Sequence, residues 1–235
     1  MITKTTSDFS GCNFETGEVI LIDKDKGLTS FSVVHKVRKA VQVKKVGHAG
    51  TLDPEATGLL IICTGKKTKE IYKYQDSEKT YTGIISLGKS TASMDAETEF
   101  SEEKSLNGIG NDEIEKVRKS FLGKIEQMPP MYSAIKHKGK SLYKYARKGV
   151  EIERVAREVT ISKFEITKAD LPDIHFEIVC SKGTYIRVIA DDFGNKLGCG
   201  AYLKSLRRTA IGEYKVEDAF EINEFRKIAE TMTAA

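Results

Sequence analysis

The residues best suited to chemistry lie in one glycine-rich segment, Gly47-His-Ala-Gly-Thr-Leu-Asp-Pro-Glu-Ala-Thr-Gly58. Its three glycines allow backbone angles that other residues avoid, so a ligand can approach the chain closely. Asp53 precedes a proline, which favours an extended backbone and a carboxylate in a fixed position. Because an ordinary Asp is ionised at neutral pH, Asp53 could act as a nucleophile, a general base or an electrostatic partner. A capping carboxylate in an Asp-Pro turn is the common structural alternative.

Other kinds of site have little support. The run Gly65-Lys-Lys-Thr68 lacks the lead-in of a phosphate-binding loop. The cysteines at 12, 63, 180 and 199 form no closely spaced pair, so we expect no metal site and no disulfide framework. No apolar run approaches the roughly 18 residues of a membrane span, and the polar N-terminus does not resemble a secretory signal. We therefore expect a cytoplasmic protein with no membrane partner.

Several elements must position this segment, and their pattern predicts an α+β fold built on a mixed sheet. Short apolar runs predict buried strands at 19–22 and 59–63, and alternation predicts strands at 79–87, 157–168, 174–181 and 203–214. Helices are predicted over 112–122, 141–148, 184–196 and from Asn223. A further helix, capped by Thr29 or Ser30 and ending at Val41, would place Phe31, Val34, Val37 and Val41 on its inner face. With 235 residues and roughly 150 residues per domain, we expect one domain over 1–235, with a flexible tail over 1–15.

Charge is segregated along the chain. Residues 127–157 hold eight basic side chains and two acids, whereas residues 92–115 hold eight acids and one lysine. Such segregation predicts a surface that attracts polyanions, although two ordinary solvated faces would also account for it. Pro129 and Pro130 would hold the start of the basic segment extended, so we expect 127–157 to project as an arm.

Five segments in order carry a resemblance to a known family. They are Ile22–Ser30, Gly47–Gly58, Lys79-Thr-Tyr81, Gln127–Lys136 and Cys180-Ser-Lys-Gly-Thr-Tyr-Ile-Arg187, and Leu206-Arg207-Arg208 also fits. Together they resemble the tRNA pseudouridine-55 synthases of the TruB family over most of the chain. The resemblance implies a pseudouridine synthase fold and an isomerase that converts uridine 55 in the T-loop of tRNA to pseudouridine without a cofactor.

The resemblance also implies roles for single residues. Asp53 would be the nucleophile, Tyr81 would stack on the target uracil and Arg187 would pair with the catalytic carboxylate. His48, Tyr185, Leu206 and Lys24 would bind or position the substrate. The segment 127–157 would grip the T-arm through cations, namely Lys136, Lys138, Lys140, Lys144, Arg147, Lys148 and Arg154.

The chain departs from the family pattern at a few positions. Asp25 stands where a proline is usual, Ala49 where threonine is common, and Glu55 where the residue is more often apolar. The two acids add negative charge near a site that must receive RNA. The sequence ends soon after the last matching segment, so we expect a catalytic domain that acts without a C-terminal PUA-type RNA-binding domain, and as a monomer.

Two alternatives stay open at this point. The chain could be a guide-RNA-dependent pseudouridine synthase, although that relative normally carries the C-terminal domain. It could also be chiefly a tRNA-folding chaperone with secondary catalysis, because the same arm and pocket would serve both activities.

Overall fold

The computed structural model describes residues 1–233 of the chain. The chain folds into two compact units: the first contains Met1–Thr82 together with the segment from Leu206 onward, and the second contains Gly83–Ser205. Each unit combines strands and helices, which agrees with the predicted α+β class.

The elements follow one another in short segments. The first part of the chain contains β1 (Val19–Lys24), α1 (Ser30–Val41), β2 (Val46–His48), β3 (Thr57–Thr64), a 3-10 helix (Gly65–Glu70), α2 (Ile71–Asp76) and β4 (Lys79–Leu87). The middle part contains β5 (Lys89–Thr91), β6 (Phe100–Glu103), α3 (Asn111–Lys119), β7 (Gly123–Gln127), β8 (Lys136–His137), β9 (Lys140–Ser141) and α4 (Leu142–Ala146). The last part contains β10 (Arg157–Asp170), β11 (Asp173–Cys180), α5 (Ile186–Leu197), β12 (Ala201–Ile211), β13 (Tyr214–Lys215), β14 (Phe220–Glu221) and α6 (Ile222–Thr233).

In the first unit the strands are paired in the order β14-β1-β3-β12, and β2 pairs with β3. The β1–β14 and β3–β12 pairs are parallel, whereas β1–β3 and β2–β3 are antiparallel. Alternate residues of β1 lie in two different apolar clusters: Ile20 and Ile22 pack with α1 and α6, and Val19 and Leu21 pack on the other side. Both faces of this sheet are covered, which explains why residues 19–22 of β1 and 59–63 of β3 are continuous apolar runs.

In the second unit the order is β4-β11-β10-β7. The long strands β10 and β11 are antiparallel, and β7 pairs with the start of β10. Helix α5 ends at Gly198, whose φ of 78° is the left-handed conformation that favours glycine at a helix end. The segment predicted to be an arm contains the β8–β9 hairpin and the short helix α4.

Helix α1 begins as predicted, and three of the four residues of its predicted inner face are buried. Thr29 is its N-cap and accepts a hydrogen bond from the Ser32 amide. The buried residues are Ser30, Val33, Val34, Val37, Ala40 and Val41. The prediction that Phe31 shares this face is wrong, since Phe31 is 74% exposed. At 100° per residue Phe31 lies well outside the arc that the buried valines define.

The first residues differ from the flexible tail that the sequence predicts. Ile2 forms a parallel bridge with Ile20, and its amide donates to Val19 O at 2.7 Å. Phe9 is fully buried and contacts the rings of Phe14, Phe220 and Phe225. The first residues are mostly polar, so their composition does not indicate that Ile2 and Phe9 are buried in the core of the first unit.

A pair of phenylalanines tests this account. Because the Phe9 ring is fully buried, Phe9→Ala should lower the free energy of unfolding by about 3–5 kcal/mol. Phe31→Ala removes the same atoms from an exposed position and should change it by less than about 0.5 kcal/mol. Urea unfolding followed by circular dichroism measures both values, and equal losses would contradict the anchoring of the first residues.

Candidate active site

The glycine-rich segment 47–58 joins β2 to β3 in the first unit. His48 pairs with Ile62, the Ala49 amide donates to Ile61 O at 2.9 Å, and the segment then leaves the sheet. The Ala56 amide donates to Asp53 O at 3.1 Å, which closes a tight turn with proline at its second position. The partly exposed Asp53 therefore opens a turn of defined geometry.

Lys24 holds this turn from β1. It is fully buried, and Nζ donates to Leu28 O at 2.7 Å, Asp25 O at 3.0 Å and Pro54 O at 3.2 Å. Burial lowers the pKa of Lys24 to about 8, and the negative charge of Asp53 opposes that shift. An ammonium group has three donors, and here all three bind backbone carbonyls. The geometry gives Lys24 a role in positioning the loop, and its predicted contact with the substrate stays a prediction.

Ser30 holds the residue that precedes Asp53. Its buried hydroxyl accepts a hydrogen bond from the Leu52 amide at 2.9 Å and donates to Leu52 O at 3.1 Å. Both backbone groups of Leu52 are thus satisfied by one side chain at the start of α1. These two hydrogen bonds hold Leu52, and with it the loop, against the start of α1.

Arg208 holds the loop from β12. Its buried side chain donates from Nε to Leu59 O at 2.8 Å and from Nη2 to Gly50 O at 3.1 Å. Gly58 has a φ of 106°, and a Cβ added there would lie 2.2 Å from Arg208 O. Glycine is therefore required at 58 for β12 to approach β3 this closely.

His48 lies at the edge of the loop. Its ring meets the Phe31 ring edge to face, with centroids 5.6 Å apart. Burial lowers the pKa of His48 and the positive charge of Arg208 acts in the same direction, whereas the Gly50 backbone opposes the shift. The surroundings of the imidazole therefore favour its neutral form. Within residues 1–233 its buried Nδ1 has no hydrogen-bond partner of normal geometry.

The remaining predicted site residues of the first unit lie on strands. Tyr81 is buried on β4, and Leu206 is half-buried on β12. Among the three departures from the family pattern, Glu55 pairs with exposed Lys26 at 3.1 Å, Ala49 is fully buried, and the backbone carbonyl of Asp25 accepts from Lys24. Lys26 therefore offsets the charge that Glu55 adds.

Arg187 lies in the second unit, in the first turn of α5, and is buried. Its Nε is 3.5 Å from Oδ2 of buried Asp95, Nη1 donates to Ser93 O at 3.1 Å and Nη2 donates to Tyr132 O at 2.7 Å. One guanidinium thus joins α5, the segment after β5 and the start of the arm. Its five donors in a fixed plane suit it to such a junction.

Tyr185 immediately precedes α5 and is also tied to the arm. Its amide donates to Oε1 of Gln127 at 2.7 Å, and its carbonyl accepts from Nε2 of Gln127 at 3.1 Å. The Arg157 guanidinium lies 4.8 Å from the centre of the Tyr185 ring, within the range of a cation–π interaction. Both ends of the arm therefore contact this tyrosine.

The cations predicted to bind RNA divide into two groups. The exposed ones are Lys136, Lys138, Lys140, Lys144, Arg147 and Lys148. Arg154 instead pairs with Glu151 at 2.7 Å and donates to Pro129 O at 3.3 Å. Arg154 therefore makes contacts within the arm, and its predicted contact with RNA stays a prediction.

Sequence reasoning missed several residues that shape these sites. Ser30 was considered only as a helix cap, and Arg208 only as part of a matching tripeptide. The partners of Asp95, Gln127 and Arg157 lie far away in the chain, so the local pattern does not indicate the contacts that these residues make. Of these three residues only Gln127 lies within a matching segment, where its polar side chain is the one available signal.

Two negative findings concern residues 1–233. These residues contain no cluster of three or more His, Cys, Asp or Glu side chains arranged to hold a metal ion. None of their helices is both long enough and apolar enough to cross a membrane.

The pair of hydrogen bonds between Ser30 and Leu52 can be tested by substitution. Ser30→Ala leaves two buried backbone groups without their partner and should cost about 1–3 kcal/mol of unfolding free energy. It should also speed hydrogen exchange of the Leu52 amide. Ser32→Ala removes a hydroxyl that only binds Thr29 O in the same turn and serves as the control. Equal stability of the two variants, measured by urea unfolding, would contradict this role of Ser30.

Comparisons with known proteins agree with this arrangement. Residues 38–186 match the N-terminal domain of the TruB family pseudouridylate synthases, and residues 187–234 match the C-terminal domain of tRNA pseudouridylate synthase B. The tRNA pseudouridine synthase B of Chlorobium chlorochromatii is 50% identical over 88% of this chain and 84% of its own length. That of Chloroherpeton thalassium is 46% identical over 97% of both chains.

A solved structure supports the same assignment. The pseudouridine synthase chain of a Cbf5–Nop10–Gar1 complex superposes with a TM-score of 0.71 and 29% identity over 91% of this chain. This chain spans about half of that longer one, 54% of its length. These matches agree with one another. The chain therefore belongs to the TruB family of pseudouridylate synthases.

Proposed function

We propose that this chain isomerises uridine to pseudouridine at position 55 in the T-loop of tRNA, with Asp53 as the nucleophile. The observation that carries the proposal is the loop itself: backbone groups of Gly50, Leu52 and Pro54 are each held by a buried side chain, and Asp53 lies between them. A nucleophile must be held in near-attack geometry to be effective. The relatives that are 43–50% identical are tRNA pseudouridine synthases B, which supports tRNA as the substrate.

The reaction needs no outside reactant. The bond between uracil N1 and ribose C1′ breaks, and a bond between uracil C5 and C1′ forms. The C5 proton is lost to solvent and N1 gains a proton, so atoms and charge balance. Attack of the Asp53 carboxylate either at C1′ or on the uracil ring would begin this sequence, and the detached base must be kept from escaping.

Other residues would assist at this site. Tyr81 would stack on the uracil, an interaction worth about 1–3 kcal/mol that offsets part of the cost of flipping a nucleotide. The imidazole of His48 would contact the RNA loop from which the target nucleotide is flipped out, and Tyr185 and Leu206 would line the uracil pocket. The pairing of Arg187 with the Asp53 carboxylate, which the family resemblance implies, stays a prediction. We propose that both units act together as one catalytic domain, as a monomer in the cytoplasm.

The arm would hold the T-arm by charge. Six of its cations are exposed, and three of them lie on the β8–β9 hairpin, where Lys138 and Gly139 have the positive φ angles of a tight turn. Phosphates are bound by such cations with release of counterions, so the affinity depends on salt. Arg187 and Gln127 would fix where this arm projects.

Tritium release tests the reaction. A tRNA transcript labelled at C5 of its uridines should lose about one label per molecule, and carbodiimide mapping should place the product at position 55. Asp53→Asn should lower the rate on the order of 10⁴-fold or more, since the nucleophile is lost. Asp25→Asn removes the same charge from an exposed neighbour and should retain activity. Binding of tRNA without release by the unmodified protein would favour a folding chaperone, and product elsewhere in tRNA would contradict the choice of position 55.

The arm can be tested by comparing two sets of cations. Neutralising the hairpin with Lys136→Gln, Lys138→Gln and Lys140→Gln should weaken tRNA binding and reduce the slope of log affinity against log salt by about 2. Arg154→Gln should leave that slope unchanged, because Arg154 already pairs with Glu151. Filter binding between low and moderate salt measures both slopes, and the opposite ranking would refute the division of roles.

A further inference from the structure

A second basic region lies outside the arm. Residues 27–52 contain no Asp or Glu, but they contain Lys36, Arg38, Lys39, Lys44 and Lys45 together with two histidines. The formal charge of this stretch is therefore +5. It includes α1, the connection to β2 and the first half of the Asp53 loop, all within the first unit.

The fold turns much of this charge toward solvent. The buried face of α1 is apolar apart from Ser30, so its other side carries the exposed residues Phe31, His35, Arg38 and Lys39 at spacings of four, three and one. Lys44 and Lys45 are exposed in the connection that follows. Phe31 and Lys39 are eight residues apart, which is about 12 Å along a helix. The charge therefore forms a strip on one side of α1.

The cations of this strip do not form ion pairs with acidic side chains of the described residues. Among the residues that the structure describes, none of Arg38, Lys39, Lys44 and Lys45 forms an ion pair, and the one side-chain hydrogen bond is from Arg38 to Val46 O at 3.4 Å. An anion that arrives here would not have to break an existing pair. Elsewhere in the same unit exposed lysines have acids as sequence neighbours: Lys215 is followed by Glu217 and Asp218, and Lys227 lies three residues from Glu224 and Glu230.

An exposed aromatic ring lies at the end of the strip nearest the active-site loop. Phe31 is 74% exposed, and its described ring contact is the edge-to-face one with His48. His48 is five residues from Asp53 in the same loop. Exposed aromatic rings beside cations are the pattern by which single-stranded nucleic acids are bound, through base stacking and phosphate contacts.

We propose that Phe31, Arg38, Lys39, Lys44 and Lys45, which we call the α1 surface, bind the RNA strand that adjoins the target nucleotide. The four cations contact successive phosphates, and Phe31 stacks on an unpaired base next to the one presented to Asp53. This inference rests on the proposed function and adds a second RNA contact, in the first unit, to that of the arm in the second.

Neutralising the lysines tests the electrostatic part. Lys39→Gln, Lys44→Gln and Lys45→Gln together should weaken binding of an unmodified tRNA transcript on the order of 10- to 100-fold near 0.1 M salt and reduce the log–log salt slope by about 2. The matched control changes Lys4, Lys215 and Lys227, three exposed lysines of the same unit, to Gln. Both variants lose three charges, so only a local effect separates them. Equal affinities and slopes for the two variants would overturn the proposal.

Phe31 tests the stacking part. Phe31→Ala should weaken tRNA binding by about 5- to 100-fold without changing the salt slope, and Phe31→Tyr should restore binding because it keeps an aromatic face. A merely structural role would lower the melting temperature of Phe31→Ala and leave the affinity of the folded protein unchanged. That result would refute the stacking contact.

The tritium assay separates failure of this inference from failure of the proposed function. Suppose that the protein without substitutions releases the label from tRNA, but that the triple variant at 39, 44 and 45 has the same affinity and salt slope as its control. The α1 surface then does not bind RNA. If the unmodified protein binds tRNA but releases no label, the proposed isomerase activity fails while the binding comparison still judges the α1 surface.

Discussion

The structure of the active-site loop depends on the need to satisfy buried backbone groups. A loop that leaves a sheet carries carbonyl and amide groups that must find partners. Here Lys24, Ser30 and Arg208 supply them from three different elements. The dependence is mutual, because a buried lysine or arginine is costly without acceptors and the loop carbonyls are those acceptors. The position of Asp53 is therefore a property of the whole first unit.

The second unit solves a related problem with a different residue. The arm is a long excursion between β7 and β10 with little regular structure of its own. Arg187 binds the Tyr132 carbonyl near its start, and Gln127 binds both backbone groups of Tyr185. Because Asp95 lies beside the same guanidinium, the charge that anchors the arm is compensated inside the protein. The cations left exposed on the arm are then available to an external anion.

The proposed binding of RNA involves two kinds of contact, those to phosphates and those that distinguish bases. Contacts to phosphates position an RNA but carry no sequence information, and the contacts proposed for the arm and for the four cations of the α1 surface are of this kind. In the proposed function, discrimination between RNA sequences comes from the neighbourhood of Asp53, where groups of the loop are held at fixed positions. Lys26 lies beside Glu55 and offsets the negative charge that this acid adds near the loop.

Local signals in the sequence determined much of this protein, including the caps at Thr29 and Gly198, the apolar runs of β1 and β3, and the motif that contains Asp53. They failed where the partner is distant. Ile2 is ordered by Ile20, Ser30 binds a residue 22 positions away, and Arg208 binds Gly50 across 158 positions. Phe31 was misplaced for a related reason, since neighbouring elements decide which side of a helix is buried. Sequence patterns report propensity and periodicity, whereas buried hydrogen bonds and surface exposure depend on which segments the tertiary structure brings together.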